Sequence, residues 1–187
     1  MQRSFLWQTL YQPGLEHFRL ESDGNSSSIN GVIIGLENQQ SFHLNYSLHC
    51  AADQTLREAT ISSVTANVES RLRLHADGHG NWTNELGDPL PQFAGCFEID
   101  ISATPFTNSL PIWRLQLAPQ QPTEIEVLYI KAPELQLQRQ RQRYTLLEIS
   151  EAGSLYRFES PDIDFTALVY VDPDGLVTNY VDLFERL

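Results

Sequence analysis

Phe42, Leu44, Tyr46, Leu48 and Cys50 alternate one by one with His43, Asn45, Ser47 and His49. An apolar residue at every second position lies on one side of an extended chain, so this stretch reads as a strand with one face on a core. The same period of two recurs in Glu16-Phe18-Leu20, Leu72-Leu74, Phe97-Ile99-Ile101, Ile125-Val127-Tyr129, Tyr156-Phe158 and Ile163-Phe165-Ala167-Val169-Val171. Turn residues punctuate the runs at Asp23-Gly24-Asn25, Asp77-Gly78-His79-Gly80, Gly87-Asp88-Pro89, Ala152-Gly153 and Asp172-Pro173-Asp174-Gly175. Ten or more strands at hairpin spacing predict a mostly β protein: an antiparallel sheet curled into a half-barrel or open β-barrel, with one or two short helices. Residues 1–187 are expected to form one domain, since 187 residues suit a single core. Ala132 to Arg143 is compatible with a helix, but the alternation of Gln140, Gln142, Tyr144 and Leu146 against Arg141, Arg143, Thr145 and Leu147 favours a strand from Gln138 to Ile149. Ser26-Ser27-Ser28 reads as a flexible loop.

Charge removes some partners. With 24 acidic and 12 basic side chains the net charge is -12, which repels phosphate backbones, so no nucleic acid is expected as a partner. No transmembrane segment and no cationic leader followed by an apolar run is apparent, and a cytoplasmic location is expected. Cys50 and Cys96 are too few for a disulfide scaffold and are read as reduced core residues; the sequons at Asn25, Asn45 and Asn81 carry no weight without a secretory signal.

Chemical motifs are sparse. His75, Asp77 and His79 suggest a metal cluster, but a glycine-rich turn collects the same residues, and no metal is expected. No glycine-rich phosphate loop, nucleophile elbow or activated cysteine appears, so neither a cofactor nor a catalytic residue is assigned. Arg139, Arg141 and Arg143 share one strand face. They form either a grip for an anionic head group or a cross-strand ion ladder with Glu124 and Glu126, and the ladder is preferred for the first two.

The densest segment runs from Phe93 to Leu115. Thr104-Pro105 predicts an N-cap followed by proline at a first helical position, so a short helix or turn should begin there. Thr107, Asn108 and Ser109 cannot be buried unpaired without a cost of about 1–3 kcal/mol each, so they either tie the turn to nearby backbone or line a pocket.

Gly95-Cys96, Ile99-Asp100-Ile101, Thr104-Pro105-Phe106-Thr107-Asn108, Leu110-Pro111-Ile112 and Arg114-Leu115 together resemble the core motif of the Putative glycolipid-binding family. Trp7, Glu16, Trp82, Gln142-Arg143-Tyr144 and the closing Asp172, Asp174-Gly175-Leu176-Val177, Tyr180 and Phe184 follow in the order of that family, so the resemblance spans essentially the whole chain. Trp113 and Val181 depart from it. The resemblance implies a half-barrel similar to the LolA/LolB lipoprotein carriers, wrapped around an apolar cavity that takes a lipid or glycolipid. Asp100, Asn108, Arg114, Gln142, Arg143 and Tyr144 are then the candidate ligand-binding residues at its mouth, unless they form a buried network that braces the sheet. An enzyme acting on a hydrophobic or sugar-bearing small molecule and a structural module without a ligand are the alternatives. Edge strands of such a sheet offer a route to a homodimer.

Overall fold

The alternation becomes fourteen strands in a computed structural model that describes residues 1–187. The first half of the chain gives β1 (Gln2–Thr9), β2 (Gly14–Ser22), β3 (Ser26–Glu37), β4 (Gln40–Ala51), β5 (Leu56–Thr65), β6 (Val68–Ala76) and β7 (Trp82–Asn84). After β8 (Glu98–Ile101), a 3-10 turn at Phe106–Asn108 runs directly into a short helix, α1 (Ser109–Leu115). The remainder forms β9 (Thr123–Lys131), β10 (Gln136–Ser150), β11 (Gly153–Ser160), β12 (Phe165–Val171), β13 (Val177–Tyr180) and β14 (Phe184–Arg186). All fourteen lie in one sheet, ordered β7-β6-β5-β4-β3-β2-β1-β14-β13-β12-β11-β10-β9-β8. Every ladder is antiparallel except β8 against β9.

This order forces curvature. Strands β7 and β8 are neighbours in the chain yet occupy opposite ends of the sheet. Laid flat, 14 strands spaced about 4.8 Å apart would put those ends about 62 Å from each other. The segment from Asn84 to Glu98 reaches at most about 50 Å even when fully extended, and it spends part of that length on a 3-10 turn at Pro91–Phe93. The sheet therefore curls until its ends approach. The Gly95 amide donates to the Gly80 carbonyl at 2.8 Å, and the Trp82 indole donates to the Cys96 carbonyl at 2.7 Å. Both glycines have positive φ, and a Cβ on Gly80 would stand 3.1 Å from the Gly95 Cα, so glycine suits the close approach at Gly80 and the backbone angle at both positions. The outer side of β7 is covered by its own continuation, with the Leu90 amide donating to the Trp82 carbonyl.

The inner face follows the sequence period. Leu44, Tyr46, Leu48 and Cys50 are buried while His43, Asn45, Ser47 and His49 are exposed. Cys50 and Cys96 are both buried free thiols in the core. One chain of rings fills the interior beneath α1: Phe5 and Trp7 pack on Phe18 at 4.9 and 4.8 Å, Phe18 on Phe106 at 5.0 Å, and Phe106 on Trp113 at 5.6 Å between centroids. Thr104 serves the entry to this plug as its sequence implies, its hydroxyl accepting from the Phe106 amide at 3.1 Å. Trp113, which departs from the family motif, donates to the Asp174 carbonyl at 2.8 Å and so ties α1 to the β12–β13 turn. That turn is itself fastened by the Asp172 carboxylate, which accepts from the Asp174 and Leu176 amides and from Arg186.

One expectation is overturned. Ser26, Ser27 and Ser28 are not a loop but the first residues of β3, paired with Ala51, Cys50 and His49, and Ser27 is buried. Small hydroxyl residues look like turn material when read locally; here β4 pairs with all three, and β2 pairs with Ser27 and Ser28 from the other side. The region after Ala132 resolves as strand, β10 extending over fifteen residues. No helix is long and apolar enough to cross a membrane.

Candidate functional site

Strands β8 and β10 and the turn before α1 bring four of the six candidate residues into one hydrogen-bonded group. Asp100 on β8 accepts from the Thr107 hydroxyl at 2.8 Å through one oxygen and from the Gln142 amide at 2.6 Å through the other. The buried Tyr144 hydroxyl donates to Asn108 Oδ1 at 2.9 Å, with Gln142 Oε1 at 3.3 Å. Asn108 in turn donates to the Pro105 carbonyl at 3.1 Å. Two of the three polar residues after Pro105 take the roles expected of them: Thr107 and Asn108 fasten the turn, and Asn108 also borders a pocket, whereas Ser109 does neither. Ser109 is buried, and its hydroxyl has no partner. Burial raises the Asp100 pKa above the usual carboxylate value, against the opposing pull of Thr107 and Gln142. Burial also raises Tyr144 well above the normal phenol value, with the Asp100 charge adding to it.

The two arginines lie elsewhere. Arg114 on α1 pairs with the buried Glu98 and stacks its guanidinium over Phe97, 4.7 Å from the ring centroid. Arg143 lies between Glu124 at 3.1 Å from its Nε and Glu159 at 3.3 Å from its Nη1. Arg139 pairs with Glu126, and Arg141 with Asp162 at 2.7 Å, so each arginine of the β10 row is held by a carboxylate from a neighbouring element. Asp77 is likewise engaged by its own turn, accepting from the His79 and Asn81 amides and from the Asn81 side chain.

Asp100 and Asn108 open onto a pocket of about 170 Å³, walled by Tyr129, Phe158, Phe165, Tyr180 and Phe184 with Ser102, Gln140 and Ser160 between them. Its rings form a second chain: Phe158 contacts Tyr144, Phe165 and Tyr180 at 5.2, 6.1 and 5.9 Å, and Tyr180 meets Phe184 at 6.3 Å. Ser160 is 1% exposed and its hydroxyl has no partner, leaving an unused polar atom on the wall. A cavity of about 150 Å³ holds a benzene ring. The space is therefore ring-sized and open on one side, and the neighbouring interior is filled by Trp7, Phe18 and Phe106. The period of two places Tyr129, Phe158 and Phe165 on strands and the family motif includes Tyr180 and Phe184, but neither signal marks these rings as the wall of a pocket. Gln142 and Tyr144 stand behind the wall and set Asp100 in place. Through Ser102 the pocket adjoins a narrow cleft beside Tyr11, Phe42 and Ala103. That cleft shares Pro13, Gly14, Ile34, Gly35 and Phe42 with an open groove of about 1000 Å³ on the β2–β3–β4 surface.

A buried acid lies deeper. Glu16 on β2 is 3% exposed and accepts from the Tyr46 hydroxyl at 2.5 Å; Thr104 Oγ1 is 3.4 Å from the same hydroxyl, and Glu16 Oε2 has no partner. Burial pushes the Glu16 pKa up to about 8, opposed by its two hydroxyl neighbours. The Tyr46 ring lies across Gly31, where an added Cβ would fall 2.1 Å from it. Gly31→Ala should displace the ring from Glu16 and cost about 1–3 kcal/mol, read as a fall of several degrees in the thermal midpoint. An unchanged midpoint would show that the ring has room to move.

The curled sheet, helical plug and Asp100 network define a mostly β protein with a small, partly open pocket. The family described as Putative glycolipid-binding matches residues 4–186, and the chain belongs to it. It is similar to a DUF1089 family protein from Pseudomonas aeruginosa, known from a crystal structure, with 37% identity over 92% of both chains and a TM-score of 0.82. A β-barrel-like protein of the DUF1849 family from Brucella abortus matches at 9% identity over 99% of this chain and 93% of that one, with a TM-score of 0.46. No curated protein matches the chain.

Proposed function

We propose that the protein binds a glycolipid-like amphiphile, seating a polar ring against Asp100 and laying the apolar tail along the outer groove. The observation that carries this reading is the juxtaposition of a ring-sized pocket, walled by aromatic faces and amide or hydroxyl groups, with an open apolar groove. Aromatic faces suit the C–H faces of a sugar, while Asp100, Asn108 and Gln140 offer hydrogen bonds that fix its orientation. The tail would rest on Leu15, Ile34, Leu36, Phe42 and Val64. At about 0.8 kcal/mol per fully buried methylene, an eight-carbon chain half-covered there gains about 3 kcal/mol. On this reading the protein acts as a carrier in the manner of LolA/LolB, but holds its cargo by the head. Arg114 and Arg143 contribute through the fold rather than by contact.

The test uses octyl β-glucoside below its micelle concentration, with methyl β-glucoside and octanoate as half-ligands, followed by NMR. The full probe should shift the Phe158, Tyr180 and Phe184 rings together with the Ile34 methyls. The methyl glucoside should shift the rings alone, and octanoate Ile34 alone. Silent rings at millimolar octyl glucoside would overturn the reading.

A further inference from the structure

The wall of the pocket holds one carboxylate, Asp100, and no arginine, lysine or histidine. The nearby cations are committed elsewhere: Arg114 to Glu98, Arg139 to Glu126, Arg141 to Asp162 and Arg143 to Glu124 and Glu159. Asp100 is served only by two neutral donors, Thr107 and Gln142, although a carboxylate has about four acceptor positions. Five aromatic residues stand around the same space, each ring face carrying the negative side of its quadrupole. Two tyrosines among them, Tyr129 and Tyr180, are held to their neutral forms by burial and by the Asp100 charge. A partly desolvated anion ringed by π faces with no counter-charge favours a cation over a neutral group.

We propose that the pocket selects a head group bearing a protonated amine, such as an amino sugar, with the ammonium placed between Asp100 and the rings. This deepens the amphiphile reading above and rests on it. A neutral sugar can donate hydroxyls to Asp100 but leaves its charge uncompensated; an ammonium supplies the missing charge as well as the donors. An anionic head would meet Asp100 with no cation to receive it. The overall net charge of -12 adds a field that concentrates cations at the mouth.

The experiment compares octyl 2-amino-2-deoxy-β-glucoside with octyl β-glucoside by calorimetry at pH 6, where the amine is charged. The amino probe should bind at least about tenfold tighter, a gap of about 1.4 kcal/mol. Asp100→Asn should bring the two affinities to within about twofold of one another. Phe165→Leu keeps the apolar wall but removes a π face, and should weaken the amino probe severalfold more than the neutral one. It asks the same question should Asp100→Asn fail to fold. Equal affinities in the unmodified protein, with the pocket rings still shifting, would overturn charge selection and leave the amphiphile reading intact. A preference that survives Asp100→Asn or is unmoved by Phe165→Leu would also overturn it, and binding by neither probe would sink both readings.

Discussion

Glu16→Gln should flatten the pH dependence of stability on the alkaline side. In the unfolded chain this carboxyl titrates near 4.5; inside the barrel burial moves it to about 8. The folded state therefore holds the proton more tightly, so the stabilising contribution is complete below pH 4.5 and is lost as pH rises toward about 8. At about 1.4 kcal/mol per pH step, the total loss reaches about 5 kcal/mol, of which about 3 has accrued by pH 7. Glutamine mimics the protonated acid: it accepts from Tyr46 and places a neutral group where Oε2 has no partner. Urea melts of both proteins from pH 4.5 to 9 measure the difference. Parallel curves would mean that the carboxylate finds solvent or a counter-charge on ionising.

Phe106→Ala should cost about 3–5 kcal/mol and lower the thermal midpoint by about 6–20 °C. Phe106 is fully buried and joins Phe18 on β2 to Trp113 on α1, so its loss opens a cavity and loosens the plug at once. Circular dichroism follows the midpoint. A drop of under about 1 kcal/mol would show that the plug repacks freely and that the interior is softer than its ring contacts imply.

The strands were legible where one face is apolar and the other wet, as from Phe42 to Cys50, because solvent enforces the alternation. They were illegible where polar residues enter a ladder. Ser27 and Ser28 pair on both sides and Ser26 pairs with β4, and only the tertiary partners reveal it. Glu16 sat in plain view: period two placed it on the face of Phe18 and Leu20, and an acid on an apolar face signals a buried carboxyl. Asp100 and Asn108 were readable from the motif around Pro105. The rings of Tyr129, Phe158, Phe165, Tyr180 and Phe184 were not, since an inward aromatic on a strand looks the same whether it fills a core or walls a pocket. Arg114 and Arg143 attracted attention as charges, but a charge declares its purpose only when its partners are seen.

The Gly80–Gly95 junction bears on how this architecture tolerates change. Because consecutive strands anchor the far borders of the wall, the stretch joining them acts as a drawstring on the girth of the whole molecule. An insertion in any hairpin elsewhere alters one local corner. A change of length in this stretch is felt around the entire circumference.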